Sequence, residues 1–211
     1  MNKRKYTLGE EIFNSTTHGI GAILSIASMV VMIVIAAGRS GTLGVVSSVV
    51  FSITLFLLYI SSTLYHALTN EKAKKVFQIL DHCTIYLLIA GSYTPYALVS
   101  IGGFSGWLIF GIIWASALIG IILNMIDLHK YRRFSIFLYV AMGWAIVFYL
   151  PQLLKSLSSG GLALLAIGGV FYTVGIIFYI IKKIPYFHCV WHLFVLGGSI
   201  CHILSVMLFV L

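Results

Sequence analysis

The sequence predicts an all-α polytopic membrane protein, a bundle of seven transmembrane helices with the N-terminus in the cytoplasm and the C-terminus outside. Its 211 residues are 61% hydrophobic and only 9% charged, whereas soluble globular proteins carry about 25% charged residues. The Lys and Arg residues lie between long apolar stretches. A folded chain of this size could not cover a water-facing surface with so few charges, so most of its surroundings must be lipid.

The apolar stretches define the seven helices, because a membrane span needs about 20 residues at a rise of 1.5 Å each. The stretch 76–125 is too long for one crossing, and the segment from Ser100 to Gly106 supplies a glycine-rich turn that divides it. A polar segment, residues 1–18, is expected to form a short cytoplasmic arm of this single domain. The predicted helices are 19–38, 42–67, 76–99, 105–126, 134–154, 159–181 and 186–211.

The basic residues predict the orientation, because short cytoplasmic loops carry an excess of Lys and Arg. With the N-terminus inside, the outer segments hold only Arg39 and Lys155. The inner segments hold Lys3, Arg4, Lys5, Lys72, Lys74, Lys75, Lys130, Arg132, Arg133, Lys182 and Lys183. A nucleic-acid partner is not expected, because a basic face for phosphates needs clustered cations with a recognisable motif, whereas these cations lie between long apolar stretches. The three cysteines show no CxxC spacing and predict no disulfide framework.

Ionisable residues inside the spans are candidates for a functional site, because they are costly to place in lipid. His188 and His192 lie four residues apart on the last helix, so both imidazoles share one face. Ser62 and His66 repeat this spacing on the second helix. A third imidazole from His66 would complete a three-histidine zinc site with one open position. Asp81 is the only carboxylate predicted inside a span.

These side chains are expected at one depth, because the second helix ends, and the third and seventh begin, at the inner leaflet. Asp81 could then hydrogen-bond a water molecule at the metal or orient a ligand, with Ser62 acting from one turn deeper. An HxxxH spacing alone is weak evidence, since such pairs arise by chance on any histidine-containing helix. A hydrogen-bonded polar cluster or a proton relay without metal therefore stays open.

Two further histidines have other expected roles. His202 lies about 15 Å beyond His192 along the helix, too far to share its metal. A hydrogen bond to a hydroxyl or carbonyl of a neighbouring helix is the favoured interpretation, and a deeper substrate contact is the alternative. His82 is expected to point away from Asp81 and to serve in packing.

The polar arm before the first span carries one polar face. Glu10, Asn14 and His18 are spaced four residues apart and would line one side of a helix. This face is either the solvated side of an amphipathic arm or a lid over the site. The spacing alone does not separate the two.

Four motifs in this order closely resemble the bacterial hemolysin III family, the bacterial branch of the progestin and adipoQ receptor superfamily. The resemblance covers essentially the whole chain. It implies a multi-pass protein of the bacterial plasma membrane with an inner-side zinc ion held by His66, His188 and His192, with Ser62 and Asp81 around its water. The motifs are Glu10-x3-Asn14-x3-His18, residues 62–66, residues 80–95, and His188-x3-His192 with His202 beyond.

The resemblance extends to alkaline ceramidases and other membrane hydrolases. The predicted function is therefore zinc-dependent hydrolysis of a lipid amide or ester, with Asp81 and Ser62 as catalytic residues and a membrane lipid as partner. The alternative is a non-enzymatic regulator of membrane state or a pore-forming cytolysin, with a structural zinc. The sequence contains no ring of charges and no amphipathic span that would line a pore. A transporter is disfavoured because the expected cluster of Asp81 and the histidines lies in one leaflet. The oligomeric state is left open by the sequence.

Overall fold

The computed structural model describes residues 6–211, which are almost entirely helical and contain no strands. Seven helices are long and apolar enough to cross a membrane, so the predicted class is confirmed. The orientation stays a prediction, and Lys3, Arg4 and Lys5 lie outside the described residues. The helices are α1 Leu8–Arg39, α2 Gly41–Ala67, α3 Glu71–Ile101, α4 Gly103–Asp127, α5 Arg132–Ser156, α6 Ser159–Ile180 and α7 Phe187–Val210.

The first helix begins at Leu8 rather than near residue 19, because Thr7 and Glu10 form a capping box. The Glu10 backbone N–H donates to Thr7 Oγ1 at 3.3 Å, and the Thr7 N–H donates to Glu10 Oε2 at 2.8 Å. The polar segment from Leu8 onward, expected as a separate arm, is therefore the beginning of α1. The polar face of Glu10, Asn14 and His18 therefore belongs to the same continuous helix and lies inside the bundle.

The turn between α3 and α4 lies where the sequence predicts it. Gly102 and Gly103 both have positive φ angles, 61° and 55°, and glycine adopts this region without steric cost. Before the turn, α3 changes to π-helical geometry over Tyr96–Ile101, directly after Pro95. Proline has no N–H to donate, which favours such a change of helix type.

The fifth helix is irregular in its middle. Residues Ala145–Tyr149 are 3₁₀-helical and interrupt the α-helical pattern. The Tyr93 hydroxyl of α3 compensates for the break: it accepts the Ile146 N–H at 2.8 Å and donates towards the Met142 and Gly143 carbonyls at 2.6 and 2.9 Å. Backbone groups in lipid must be satisfied within the protein, so one phenol stabilises this unusual wall of the bundle.

The third helix is the most buried of the seven and packs tightly on α2 and α4. Gly91 of α3 faces Thr54 of α2 so closely that a Cβ there would overlap the threonine side chain. Thr54 is β-branched and donates its hydroxyl to the Phe51 carbonyl at 2.8 Å, so it has little freedom to move. This close contact fixes α3, and with it the position of Asp81.

We expect Gly91→Ala to destabilise the fold by about 1–3 kcal/mol, the usual cost of overpacking. Gly111→Ala is the matched control, because a Cβ on this α4 glycine would meet nothing within 4 Å. Reversible unfolding of both variants in mixed micelles measures the difference. Equal stability of the two variants would contradict the proposed tight packing of α2 against α3.

Candidate metal centre

Three histidines from opposite ends of the sequence meet at one end of the bundle. His66 lies near the end of α2, and His188 and His192 lie in the first turns of α7. Each offers one ring nitrogen, and these atoms lie within 4.8 Å of one another. The three histidines are therefore close enough to bind a metal ion. We call this region, where α1, α3 and α7 begin, the histidine end.

The hydrogen bonds of two of these rings define which nitrogen is available to a metal. His192 Nδ1 lies 3.3 Å from the backbone carbonyl oxygen of Asn14, and His66 Nδ1 lies 2.6 Å from Glu11 Oε2. Both partners are acceptors, so each Nδ1 carries the proton and each Nε2 keeps a lone pair in the neutral ring. His66 Nε2 is buried and has no hydrogen-bond partner within residues 6–211.

A zinc ion fits this donor set. His188 Nε2 lies 3.2 Å from His192 Nε2, and two ligands of a tetrahedral zinc with Zn–N bonds of 2.0–2.1 Å are about 3.3 Å apart. The same distance suits an N–H···N bond, which is the metal-free alternative. The buried, unpaired His66 Nε2 favours the metal, since an unsatisfied buried polar atom is costly.

The other two predicted site residues lie beside the cluster. Ser62, Asp81, His188 and His192 line one cavity of about 460 Å³. The Ser62 Oγ atom is buried and makes no hydrogen bond to the described part of the chain. Asp81 is only 8% exposed and does not belong to the group of metal-competent atoms. Asp81 therefore lies in the wall of the cavity, outside the group of three histidines.

His82 does not point away from Asp81, as the helical geometry suggested. Its Nδ1 lies 3.6 Å from Asp81 Oδ2 and 2.8 Å from the Gln78 carbonyl oxygen. The bond to the preceding turn brings the ring back along α3, and this places its nitrogen beside the carboxylate. His82 therefore packs beside the Asp81 carboxylate, next to the cavity that it also lines.

The polar face of α1 covers the histidine end. Glu10, Asn14 and His18 are all buried, which favours the lid interpretation over a solvated face. Glu10 Oε1 accepts the Tyr186 N–H at 2.8 Å, and the His18 ring stacks on His192 at a centroid distance of 3.6 Å. Asp81 is thus not the only embedded carboxylate. The expectation was wrong because the capping box starts α1 before Glu10.

His202 has the favoured role predicted for it. Its Nε2 lies 3.3 Å from the Leu165 carbonyl oxygen of α6, to which it donates. It packs edge-on against Tyr172 at 5.3 Å and lines the cavity away from the metal-competent cluster. The interpretation as a histidine bonded to a neighbouring helix is confirmed.

Two contacts of the cluster were missed by the sequence analysis. Glu11 bonds to His66 and, at 2.6 Å, to Lys74 of α3. The Tyr6 ring stacks on His188 at 5.0 Å. Burial raises the pKa of Tyr6 well above its usual value, so its phenol stays protonated. The capping signature at residues 7–10 was the available signal, because it predicts that α1 begins at Leu8 and continues through Glu11, directly after Tyr6.

The cavity is apolar over most of its length and is open to one side. It runs from the histidine end to His202 between α3, α5, α6 and α7. The Trp144 indole of α5 donates to Thr173 Oγ1 of α6 at 3.1 Å across this side. Several lining residues there are exposed, so α5 and α6 do not seal the cavity from the surrounding lipid. These residues are Trp144, Val147, Leu150, Leu154 and Val170.

Comparison with known proteins places the chain among haemolysin-III related proteins, whose family model matches residues 6–203. It is 45% identical to the hemolysin-3 homolog of Bacillus subtilis (strain 168) over 92% of this chain and 91% of the relative. It is 42% identical to hemolysin-3 of Bacillus cereus over 100% and 96%. The human monocyte to macrophage differentiation factor is 29% identical over 72% of this chain and 66% of that protein.

We expect Glu10→Ala to loosen the first turn of α1, because the carboxylate both caps the helix and holds the Tyr186 N–H. Loss of hydrogen bonds to a charged group costs about 1.5–3 kcal/mol, so amide exchange at residues 8–13 should accelerate roughly tenfold to 100-fold. Hydrogen–deuterium exchange measures this. Glu71→Ala is the control, since Asn70 caps α3 without it. Equal exchange in both variants would contradict the role of Glu10.

Proposed function

The chain belongs to the haemolysin-III related family and is a multi-pass membrane protein. From this premise we propose that it is a zinc-dependent hydrolase that cleaves an amide or ester bond of a membrane lipid. One observation carries the proposal. Three imidazole nitrogens converge within 4.8 Å at the head of an apolar cavity, which combines a metal-binding donor set with space for a lipid chain.

Zinc is a metal that suits these ligands. Imidazole nitrogen is a borderline donor that suits zinc, whereas magnesium and calcium prefer oxygen ligands. Three protein ligands leave a fourth position free, as in catalytic zinc sites, whereas structural sites are closed by four. His66, His188 and His192 would hold the ion. A structural zinc in a non-enzymatic protein is the alternative, and the adjoining cavity favours the hydrolase.

The side chains beside the cluster support hydrolysis. When bound, zinc supplies a Lewis acid that polarises a carbonyl and lowers the pKa of water. Asp81 would accept the proton of the attacking water, and the unpaired Ser62 hydroxyl would hydrogen-bond the water or the scissile carbonyl oxygen. The water oxygen bonds to the acyl carbon, the C–N or C–O bond breaks, and a proton passes to the leaving amine or alcohol.

The cavity favours a lipid as the substrate. Its walls below the histidine end are aliphatic and aromatic side chains, and it is open towards the lipid between α5 and α6. A membrane lipid would enter sideways, with its polar linkage at the histidines and its hydrocarbon chain along the cavity. The Trp144 to Thr173 hydrogen bond lies across this route. Its loss would widen the opening.

We expect His192→Ala to remove both zinc and turnover, since three ligands must converge on the ion. Elemental analysis should find one zinc per purified wild-type chain and much less in the variant. Assays with ceramides, N-acyl amines and lysophospholipids should show hydrolysis by the wild type alone. His202→Ala is the control for zinc content, because this buried histidine of the same helix lies outside the cluster. A zinc-loaded wild type inert towards the whole panel would contradict the enzymatic proposal.

We expect Gly169→Leu to block turnover without removing the metal. Gly169 lines the cavity, and a Cβ there would meet nothing within 4 Å, so the new side chain would fill space meant for substrate. Misplacing a substrate can cost roughly 100-fold in rate, and the loss should be greatest for long acyl chains. Gly111→Leu is the matched control. An unchanged rate in Gly169→Leu, with zinc retained, would refute the cavity as the lipid site.

A further inference from the structure

We propose that Glu11 is a positioning residue of the metal centre, which orients the His66 ring and fixes the tautomer that presents Nε2 to the ion. This inference rests on the proposed metal site at the three histidines. Helix α1 supplies none of the three ligands, but through Glu11 it would directly affect how strongly they bind the metal ion.

The contact between Glu11 and His66 is short and largely buried. Glu11 Oε2 lies 2.6 Å from His66 Nδ1, slightly shorter than the usual length of about 2.7–2.9 Å for a charge-assisted N–H···O hydrogen bond. The His66 side chain is fully buried, and that of Glu11 is 18% exposed. A carboxylate can only accept, so it holds the proton on Nδ1 and leaves the Nε2 lone pair for a metal. Such carboxylate–histidine pairs also strengthen the histidine as a ligand.

The carboxylate itself is held in place from a third helix. Lys74, in the first turns of α3, lies 2.6 Å from Glu11 Oε1, so each carboxylate oxygen has its own partner. The Lys74 ammonium also lies 5.5 Å from the Tyr65 ring centroid. Glu11 therefore has one defined orientation, with one oxygen towards His66.

The same part of α1 also accepts a hydrogen bond from a second of the three histidines. Asn14, three residues after Glu11, offers its backbone carbonyl oxygen to His192 Nδ1 at 3.3 Å. Residues three apart are neighbours on a helix, so two adjacent acceptors of α1 set the tautomers of ligands on two other helices. The position of Glu11 in this arrangement matches the outer partner that metal-binding histidines almost always have.

Asn14 also offers a competing contact that makes the carboxylate necessary. Its amide Nδ2 lies 3.5 Å from His66 Nδ1, a longer and weaker contact than that of Glu11. Without the carboxylate, this amide could donate to Nδ1 and favour the tautomer with the proton on Nε2. That tautomer cannot bind a metal through Nε2 until it loses the proton.

The experiment compares metal binding by the full-length chain and its variants in detergent micelles. Zn²⁺ affinity is measured by competition with a chromogenic chelator, and Co²⁺ is used as a spectroscopic probe of ligand geometry. We expect Glu11→Ala to weaken Zn²⁺ binding about tenfold to 100-fold, the usual effect of removing an outer partner, and to alter the Co²⁺ absorption. Glu11→Gln keeps the shape and an acceptor oxygen, so its affinity should lie between those of Glu11→Ala and wild type.

The Lys74→Met variant distinguishes positioning of the His66 ring by Glu11 from a general effect of the ion pair on the packing of α1 against α3. It breaks the ion pair between α1 and α3 but leaves the hydrogen bond of the Glu11 carboxylate to His66, so its loss of affinity should be clearly smaller than that of Glu11→Ala. Wild-type affinity in Glu11→Ala and Glu11→Gln, or equal losses in Glu11→Ala and Lys74→Met, would overturn the inference alone. A wild-type chain that binds neither Zn²⁺ nor Co²⁺ would overturn the proposed metal function, and this inference with it.

Discussion

The cost of an unsatisfied polar atom in a lipid-embedded interior is the constraint on which the histidine end depends. Each imidazole placed there needs an acceptor for its N–H and a partner for its lone pair. The first helix supplies the acceptors: the carboxylate of Glu11 for His66 and the carbonyl of Asn14 for His192. The remaining ring nitrogens of His66 and His192 lie within 4.8 Å of each other and of a ring nitrogen of His188, close enough to bind a metal ion.

The bundle contains a polar region, the histidine end, and an apolar region, the cavity. These two regions match the polar and the apolar end of an amphiphilic molecule. At the histidine end, α1, α2, α3 and α7 meet through short hydrogen bonds and ion pairs, and the geometry is defined atom by atom. Between α5 and α6, the cavity wall depends on one indole-to-hydroxyl bond and on a helix whose break is stabilised by Tyr93. Rigid polar recognition and a deformable apolar wall are what binding a lipid of variable chain length would require.

The sequence predicted most of this fold, because the spans are long, apolar and separated by charges or glycines. Convergence of His66, His188 and His192 also followed, since their helices end or begin at one membrane face. Glu11 was missed because its role depends on the rotation of α1 against α2, which periodicity along one helix does not define. The starting point of α1 was missed because apolar content was given more weight than the Thr7 to Glu10 capping box.

The residues of the histidine end are drawn from nearly the full length of the chain, from Glu11 on α1 to His192 on α7. During synthesis, the earlier spans enter the membrane before the seventh exists. Until that last helix inserts, His66 lacks the two imidazoles of α7, and the covering face of α1 has no such histidines to cover. If the three histidines bind a metal ion, its acquisition would be the closing event of biogenesis, because a nascent chain arrested before residue 188 lacks two of the three ligands.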